Sequence, residues 1–278
     1  MPVRSVRLPG RGTTLVRDTP GPPGAPTVVL LHGLGATAAL NWPGAAAALS
    51  PMFRVVELDH RGHGRGIRSR RSFRLEDCAD DVVALADRLD VDRVIAAGYS
   101  MGGPIALLMA RRHPERVAGL VLCATAARFA DAAVSTPPMV LALTTGLRLT
   151  PAPVRRQLSS SMVRYAGRRW EVPSPYVREV RRHDPAAIVE AAAAVRRFDA
   201  RPWVDELEAP AVSVVTARDP VVPPARQLEL ARALGAFVLF LDGDHHAAVR
   251  QPARFLPALT EACRRVSGRQ ASPAATAH

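Results

Sequence analysis

Gly98-Tyr99-Ser100-Met101-Gly102 sets one serine between two glycines, after the strand-like segment 91–97 and at the start of a helical stretch. A serine hydroxyl is a weak nucleophile until a neighbouring base takes its proton. A sharp strand-to-helix turn lifts Oγ clear of a sheet and holds it at a helix N-terminus, where free N–H groups favour developing negative charge. Such a turn strains the backbone, and residues two positions either side must lack a Cβ. Glycines at 98 and 102 meet that demand. The chemistry this predicts is attack by Ser100 on an acyl carbonyl. In a chain with 19 glycines the five-residue pattern is weak alone. Its position between strand and helix makes it specific.

The elements around it predict an α/β fold, a mostly parallel central sheet flanked by helices with a helical cap insertion. Residues 3–8 and 13–16 read as a short antiparallel start, and the Pro/Gly-rich 20–26 as a loop. Residues 27–31 form a continuous aliphatic run, as expected of a strand buried on both faces. A second strand, 53–58, ends in the turn Arg61-Gly62-His63-Gly64. Residues 75–89 carry helical spacing, with Leu75, Ala79, Val82, Val83, Ala86 and Leu89 on one face and the opposite face, including Asp80-Asp81, solvated. Strand 91–97, helix 102–112 (stopped before Pro114) and strand 117–123 make a right-handed crossover unit. Alternation resumes with strand 211–216, helix 224–234, strand 237–241 and helix 252–266. The core is thus 1–127 and 206–266, and 128–205 a helical cap or lid. The small, polar tail 267–278 reads as disordered. Within the cap, 138–147 is the most apolar stretch, fit either to face an acyl chain or to pack on its neighbours.

Residues 27–125 resemble the N-terminal half of the α/β-hydrolase fold superfamily. The matching pieces are Leu31-His32-Gly33-Leu34-Gly35 after one strand, Asp59-His60-Arg61-Gly62-His63-Gly64 after the next, and Gly98 to Gly103. The resemblance implies that Ser100 is the nucleophile and that an oxyanion hole is built from the N–H groups of Leu34 and Met101. His32 then braces its loop. The segment Val214 to Pro223 resembles the family's strand end that carries the acid, which puts Asp219 in that role. The base follows the last strand, and the family's proline seven positions later points through Pro252 to His245, with the adjacent His246 the alternative. Asp219 would hold the imidazole in the right tautomer and stabilise its charged form. This order of Ser, Asp and His implies a carboxylic ester hydrolase needing no cofactor and no metal. Lactone, thioester or carbon–carbon hydrolysis, cofactor-free perhydrolysis and acyl transfer use the same residues. Members that open epoxides or displace halide use an Asp nucleophile, and Ser100 argues against them. A different class is a non-catalytic binding module on the same scaffold.

Composition narrows the partners. The net charge of +12 comes from 37 basic residues that are all Arg. They are scattered in ones and twos without aromatic interleaving, a pattern of coding bias rather than a nucleic-acid surface. The partner expected is a small, moderately hydrophobic acyl substrate. No apolar run reaches the ~18 residues that span a bilayer, and the first residues lack a signal core, so stable membrane insertion is not expected and a cytoplasmic location is. A homodimer stays open. Cys78, Cys123 and Cys263 show neither disulfide nor metal spacing, and Cys123 reads as core. Asp59, His60 and His63 read as part of a structural turn, not a metal site. Trp42 and Trp203 are candidates for the pocket wall or for packing.

Overall fold

The computed structural model describes residues 3–129, 137–151, 153–154, 157, 161 and 174–268. Eight strands form one sheet in the order β1-β2-β4-β3-β5-β6-β7-β8. They are β1 (Val3–Leu8), β2 (Gly12–Thr19), β3 (Thr27–Leu31), β4 (Arg54–Leu58), β5 (Val94–Tyr99), β6 (Val117–Cys123), β7 (Ala211–Thr216) and β8 (Phe237–Leu241). β2 runs antiparallel to both β1 and β4, and every other pairing is parallel.

All residues of β3 and β5 are buried. Side chains alternate across a strand, so a strand covered on both faces must be apolar throughout. Val29 and Leu31 point into one core half, with Leu75, Val82 and Leu85 of α3 (Leu75–Arg88) and Ile105 and Met109 of α4 (Gly102–Arg112). Val28 and Leu30 point into the other half. There they meet Leu49 of α2 (Ala45–Leu49) and Phe255, Leu259 and Cys263 of α10 (Pro252–Val266). Cys123 is buried in that second half, as expected, and all three cysteines are free.

Several boundaries differ from the sequence reading. β5 starts at Val94 and not at 91, because Asp90 turns with φ +57° and the Val91 N–H is spent closing α3 on Ala86 O. The strand then runs to Tyr99, straight into Ser100. Two short helices, α1 (Ala38–Asn41) and α2, fill the stretch between β3 and β4, and Thr37 caps α1 by accepting from the Leu40 N–H. Asp81 is a correction. It is not solvated but buried, taking both Arg61 Nε (2.8 Å) and Arg61 Nη2 (2.7 Å) on its carboxylate, with Arg11 Nε at 2.5 Å. Helical periodicity marks the face turned from the apolar stripe, but the turn after β4 folds over that face. Trp42 and Trp203 are both packing residues: Trp42 lies edge-on to Tyr99, and Arg111 stacks over Trp203.

Between β6 and β7 lie α5 (Pro137–Leu149), α6 (Ser174–Val180) and α7 (Pro185–Arg197), with no sheet strand among the described residues there. An antiparallel bridge, Arg128 to Asp199, joins the two ends of this insertion. Ala191 and Val195 of α7 join the core half that holds α3 and α4. Glu190 of α7 takes Arg148 of α5 on both carboxylate oxygens at 2.8 Å and also accepts the Phe73 N–H at 2.7 Å. The sequence-predicted tail lies outside the described residues from 269 onward. Two elements complete the order, α8 (Pro224–Ala233) and α9 (Ala247–Arg250). Among the described residues no helix is long and apolar enough to cross a membrane.

Candidate active site

Parallel α/β sheets gather their ligands at the carboxyl ends of the strands. Ser100 follows β5, Gly33 follows β3, Asp219 follows β7 and His245 follows β8, so one edge of the sheet presents all four. Ser100 has φ +52°, in the left-handed region that a serine rarely occupies. Three bonds hold it there. Its N–H donates to Cys123 O (3.0 Å), while its carbonyl accepts from the Gly103 N–H (2.9 Å) and the Thr125 hydroxyl (2.8 Å). A Cβ on Gly98 would lie 2.3 Å from Gly102 O, and one on Gly102 would lie 2.0 Å from Leu31 O. The spacing of the glycines is therefore a steric requirement of this turn.

His245 Nε2 lies 3.0 Å from Ser100 Oγ, and its Nδ1 lies 2.8 Å from Asp219 Oδ2. His246 is exposed at the wall of the same cleft, with its ring centre 6.0 Å from that of His245. Of the two adjacent histidines, the structure brings His245 to the serine. The Asp219 carboxylate is fully shielded from solvent. Its Oδ1 accepts the N–H groups of Val221 and Val222, each at 2.8 Å, and its Oδ2 accepts the Thr216 hydroxyl at 2.8 Å as well as the imidazole. Burial pushes its pKa up, but the His245, Val222 and Thr216 hydrogen bonds outweigh it and hold the carboxyl below its usual range. Gln227 of α8 supports this arrangement, donating to Thr216 Oγ1 (2.9 Å) and Val222 O (2.7 Å).

The Leu34 and Met101 N–H groups donate to no protein acceptor among the described residues. The loop that carries Leu34 is anchored around it. Gly33 N–H donates to Asn41 Oδ1 at 2.7 Å. His32 Nε2 accepts the His60 N–H (2.9 Å), which leaves the proton on Nδ1 to be donated to Gly33 O (2.8 Å). His32 is thus a brace, and its burial lowers its pKa to about 4. Asp59 accepts the Ala38 and Arg65 N–H groups, and among the described residues no three His, Cys, Asp or Glu converge as metal ligands.

Tyr99 closes the site from below. Its hydroxyl donates to His245 O at 2.8 Å, tying the histidine loop to the serine turn. A cleft of about 390 Å³ opens over Ser100, walled by Gly33, Leu34, Leu40, Asn41, His245 and Val249. A larger concavity, about 510 Å³, sits around Pro26, Thr27 and Arg93 at the opposite ends of the strands and holds no nucleophile. Tyr99 and Thr216 stood in the Ser100 and Asp219 segments without a role, and Asn41, Thr125 and Gln227 escaped the sequence reading. Of these three, Gln227 left a trace, as a polar residue on the same helical face as Leu230 and Ala231.

Residues 26–250 match the family model for the alpha/beta hydrolase fold. The chain belongs to this family. RutD of Rhizobium rhizogenes, named for carbamate hydrolysis, is 28% identical over 255 residues, covering 84% of this chain and 90% of its own. The 3-oxoadipate enol-lactonase 2 of Acinetobacter baylyi is 26% identical over 241 residues, covering 83% and 85%. Among solved structures, the enol-lactonase of Burkholderia xenovorans superposes with a TM-score of 0.75 at 26% identity, covering 94% of this chain and 99% of that one. These relatives of the α/β-hydrolase chain are hydrolases by name. By name, the lactonases take an enol-lactone and RutD a carbamate.

Proposed function

We propose that this protein is a serine hydrolase that cleaves a carboxylic ester, or a related acyl bond, of a small and moderately hydrophobic substrate through an acyl-enzyme on Ser100. The observation that carries the reading is the unbroken series from Ser100 Oγ to His245 Nε2 (3.0 Å) and from His245 Nδ1 to Asp219 (2.8 Å), set on a strained turn at a helix N-terminus. His245 takes the Ser100 proton as Oγ bonds to the carbonyl carbon. Asp219, acceptor-only as a carboxylate, keeps the remaining ring proton on Nδ1 and stabilises the imidazolium. The carbonyl oxygen becomes an oxyanion facing the free N–H groups of Leu34 and Met101. Collapse expels the alcohol, which receives the proton from His245. Water then repeats the sequence, giving its own proton to His245, and the acid leaves as Ser100 is restored. The apolar walls Leu34, Leu40, Ala248 and Val249 support a substrate of modest size and polarity.

Labelling with a fluorophosphonate tests this. Wild type is expected to be modified at Ser100 and to turn over short- and medium-chain aryl esters, and Ser100→Ala to do neither. Folded wild-type protein that resists the probe, or equal ester turnover by both proteins, overturns the reading.

A further inference from the structure

His183 lies 148 residues from the loop after β3, in the turn between α6 and α7 of the insertion, yet it touches that loop. It is buried, 9% exposed, and both ring nitrogens are spent on main chain. Nδ1 accepts the Gly64 N–H at 2.8 Å. The proton must therefore sit on Nε2, which donates to Gly35 O at 3.0 Å. The same turn is seated on the Arg61-Gly62-His63-Gly64 segment by the Asp184 N–H, which donates to Gly62 O at 2.8 Å. A Cβ on Gly62 would come within 2.3 Å of Ala187 Cβ, so the fit there leaves no slack.

What this contact controls follows from peptide geometry. In a trans peptide the C=O of one residue and the N–H of the next point in opposite directions within one plane. His32, by holding Gly33 O, sets the direction of the Leu34 N–H. That plane is fixed on its N-terminal side by Asn41. On its C-terminal side the chain passes through Gly35, with φ +68°, and flanking glycines leave Leu34 free to swing. There the Ala36 N–H makes a 3.3 Å bond back to Gly33 O, and Gly35 O is taken by His183.

We infer that His183 is a positioning residue for the oxyanion loop, through which the seating of the insertion on the core sets how well the Leu34 N–H meets a developing oxyanion. This rests on the serine-hydrolase reading. It makes the insertion part of the catalytic geometry. Burial keeps the imidazole neutral, the form able to accept from Gly64 and donate to Gly35 at once.

The test uses three variants of the full chain, with active sites counted by fluorophosphonate titration. Gln reaches the Nε2 position and can still donate to Gly35 O. Asn reaches the Nδ1 position and can accept only from Gly64. Loss of a whole oxyanion donor costs on the order of 10²–10³ in kcat, so a loosened one is expected to cost about tenfold. His183→Ala and His183→Asn are expected to lose about tenfold in kcat with KM within about twofold, and His183→Gln to recover to within about threefold. The Ki of an aryl trifluoromethyl ketone, which forms the tetrahedral adduct, should rise as kcat/KM falls. Unchanged kcat in His183→Ala overturns the inference, and so do Gln and Asn variants that lose activity equally and only as far as their Tm falls. If wild type itself fails to label at Ser100, the serine-hydrolase reading falls instead. If wild type labels and all three variants label and turn over at its rate, only the role of His183 falls.

Discussion

Two groups of histidines meet at this site and are treated in opposite ways. His245 lies between a hydroxyl and a carboxylate, with its side chain still 12% exposed toward the cleft. His32, His60 and His63 are fully enclosed and packed at a tilt, with ring centres 4.3 Å (His32 to His60) and 5.2 Å (His32 to His63) apart, and no carboxylate among the described residues hydrogen-bonds any of them. Burial pushes His60 and His63 well below an ordinary histidine, as it does His32. A carboxylate behind the ring and an open side in front suit imidazole to carrying a proton. Enclosure with no carboxylate bonded to the ring favours the neutral imidazole, which in His32 braces main chain through both nitrogens, while both ring nitrogens of His60 find no hydrogen-bond partner among the described residues. Residue type is equal in the two places, and the surroundings differ.

That contrast can be broken at several points. The largest effect is expected at the proton-carrying group. Asp219→Asn should lower kcat on the order of 10³–10⁴-fold, because an amide can donate to Nδ1 and force the wrong tautomer. His245→Ala should match it, whereas His246→Ala, which removes an exposed side chain at the cleft wall that does not bridge Ser100 and Asp219, should change kcat by less than about threefold. Steady-state kinetics on an aryl ester decides, and equal losses at 245 and 246 would dissolve the distinction between them. A smaller effect is expected one step back, in the bracing. Asn41→Ala frees the Gly33 N–H and should cost about tenfold in kcat, with KM changed by less than the rate. A loss confined to KM would make Asn41 a wall of the cleft and nothing more.

The smallest effect is on stability. His32 is lowered from 6.5 to about 4, so between those values the unfolded chain binds a proton that the folded one refuses. The stability tied to this is complete above pH 6.5 and is lost as pH falls toward 4, with His60 and His63 acting in the same direction. Each such histidine adds a slope of about 1.4 kcal/mol per pH unit within its window. Urea unfolding at pH 7 and pH 5 should show the loss, and His60→Leu should flatten it by about one proton. An unflattened slope would mean that His60 is not held neutral.

The elements were legible where periodicity is strong. The aliphatic run of β3, the stripe on α3 and the crossover from β5 through α4 to β6 all stand where their patterns put them, within a few residues. The short helices α1, α2 and α9 have four or five residues each, too few for a period to show. Ser100 was legible because its constraint is local: the clash that excludes a side chain at 98 is with the main chain at 102. The face of α3 was legible, but not its cover, and so Asp81 was misread. In the insertion the helical character was legible. What its turn at 183 touches was not, since the bond to Gly35 leaves no mark on the residues beside either partner.

Sequence alone therefore determined the strand–helix alternation and the strained turn around Ser100, because both follow from side-chain period and short-range sterics. It also placed Asp219 and the two candidate histidines at the ends of late strands. Only the tertiary structure decided which histidine faces the serine, how Thr216, Val221 and Val222 satisfy the buried carboxylate, and which side chains hold the loop of Leu34. Those choices pair polar groups distant in sequence, through bonds that exist only once the chain is packed. Burying a polar group is costly unless a partner is already there, and the partner comes from whichever element the fold brings alongside.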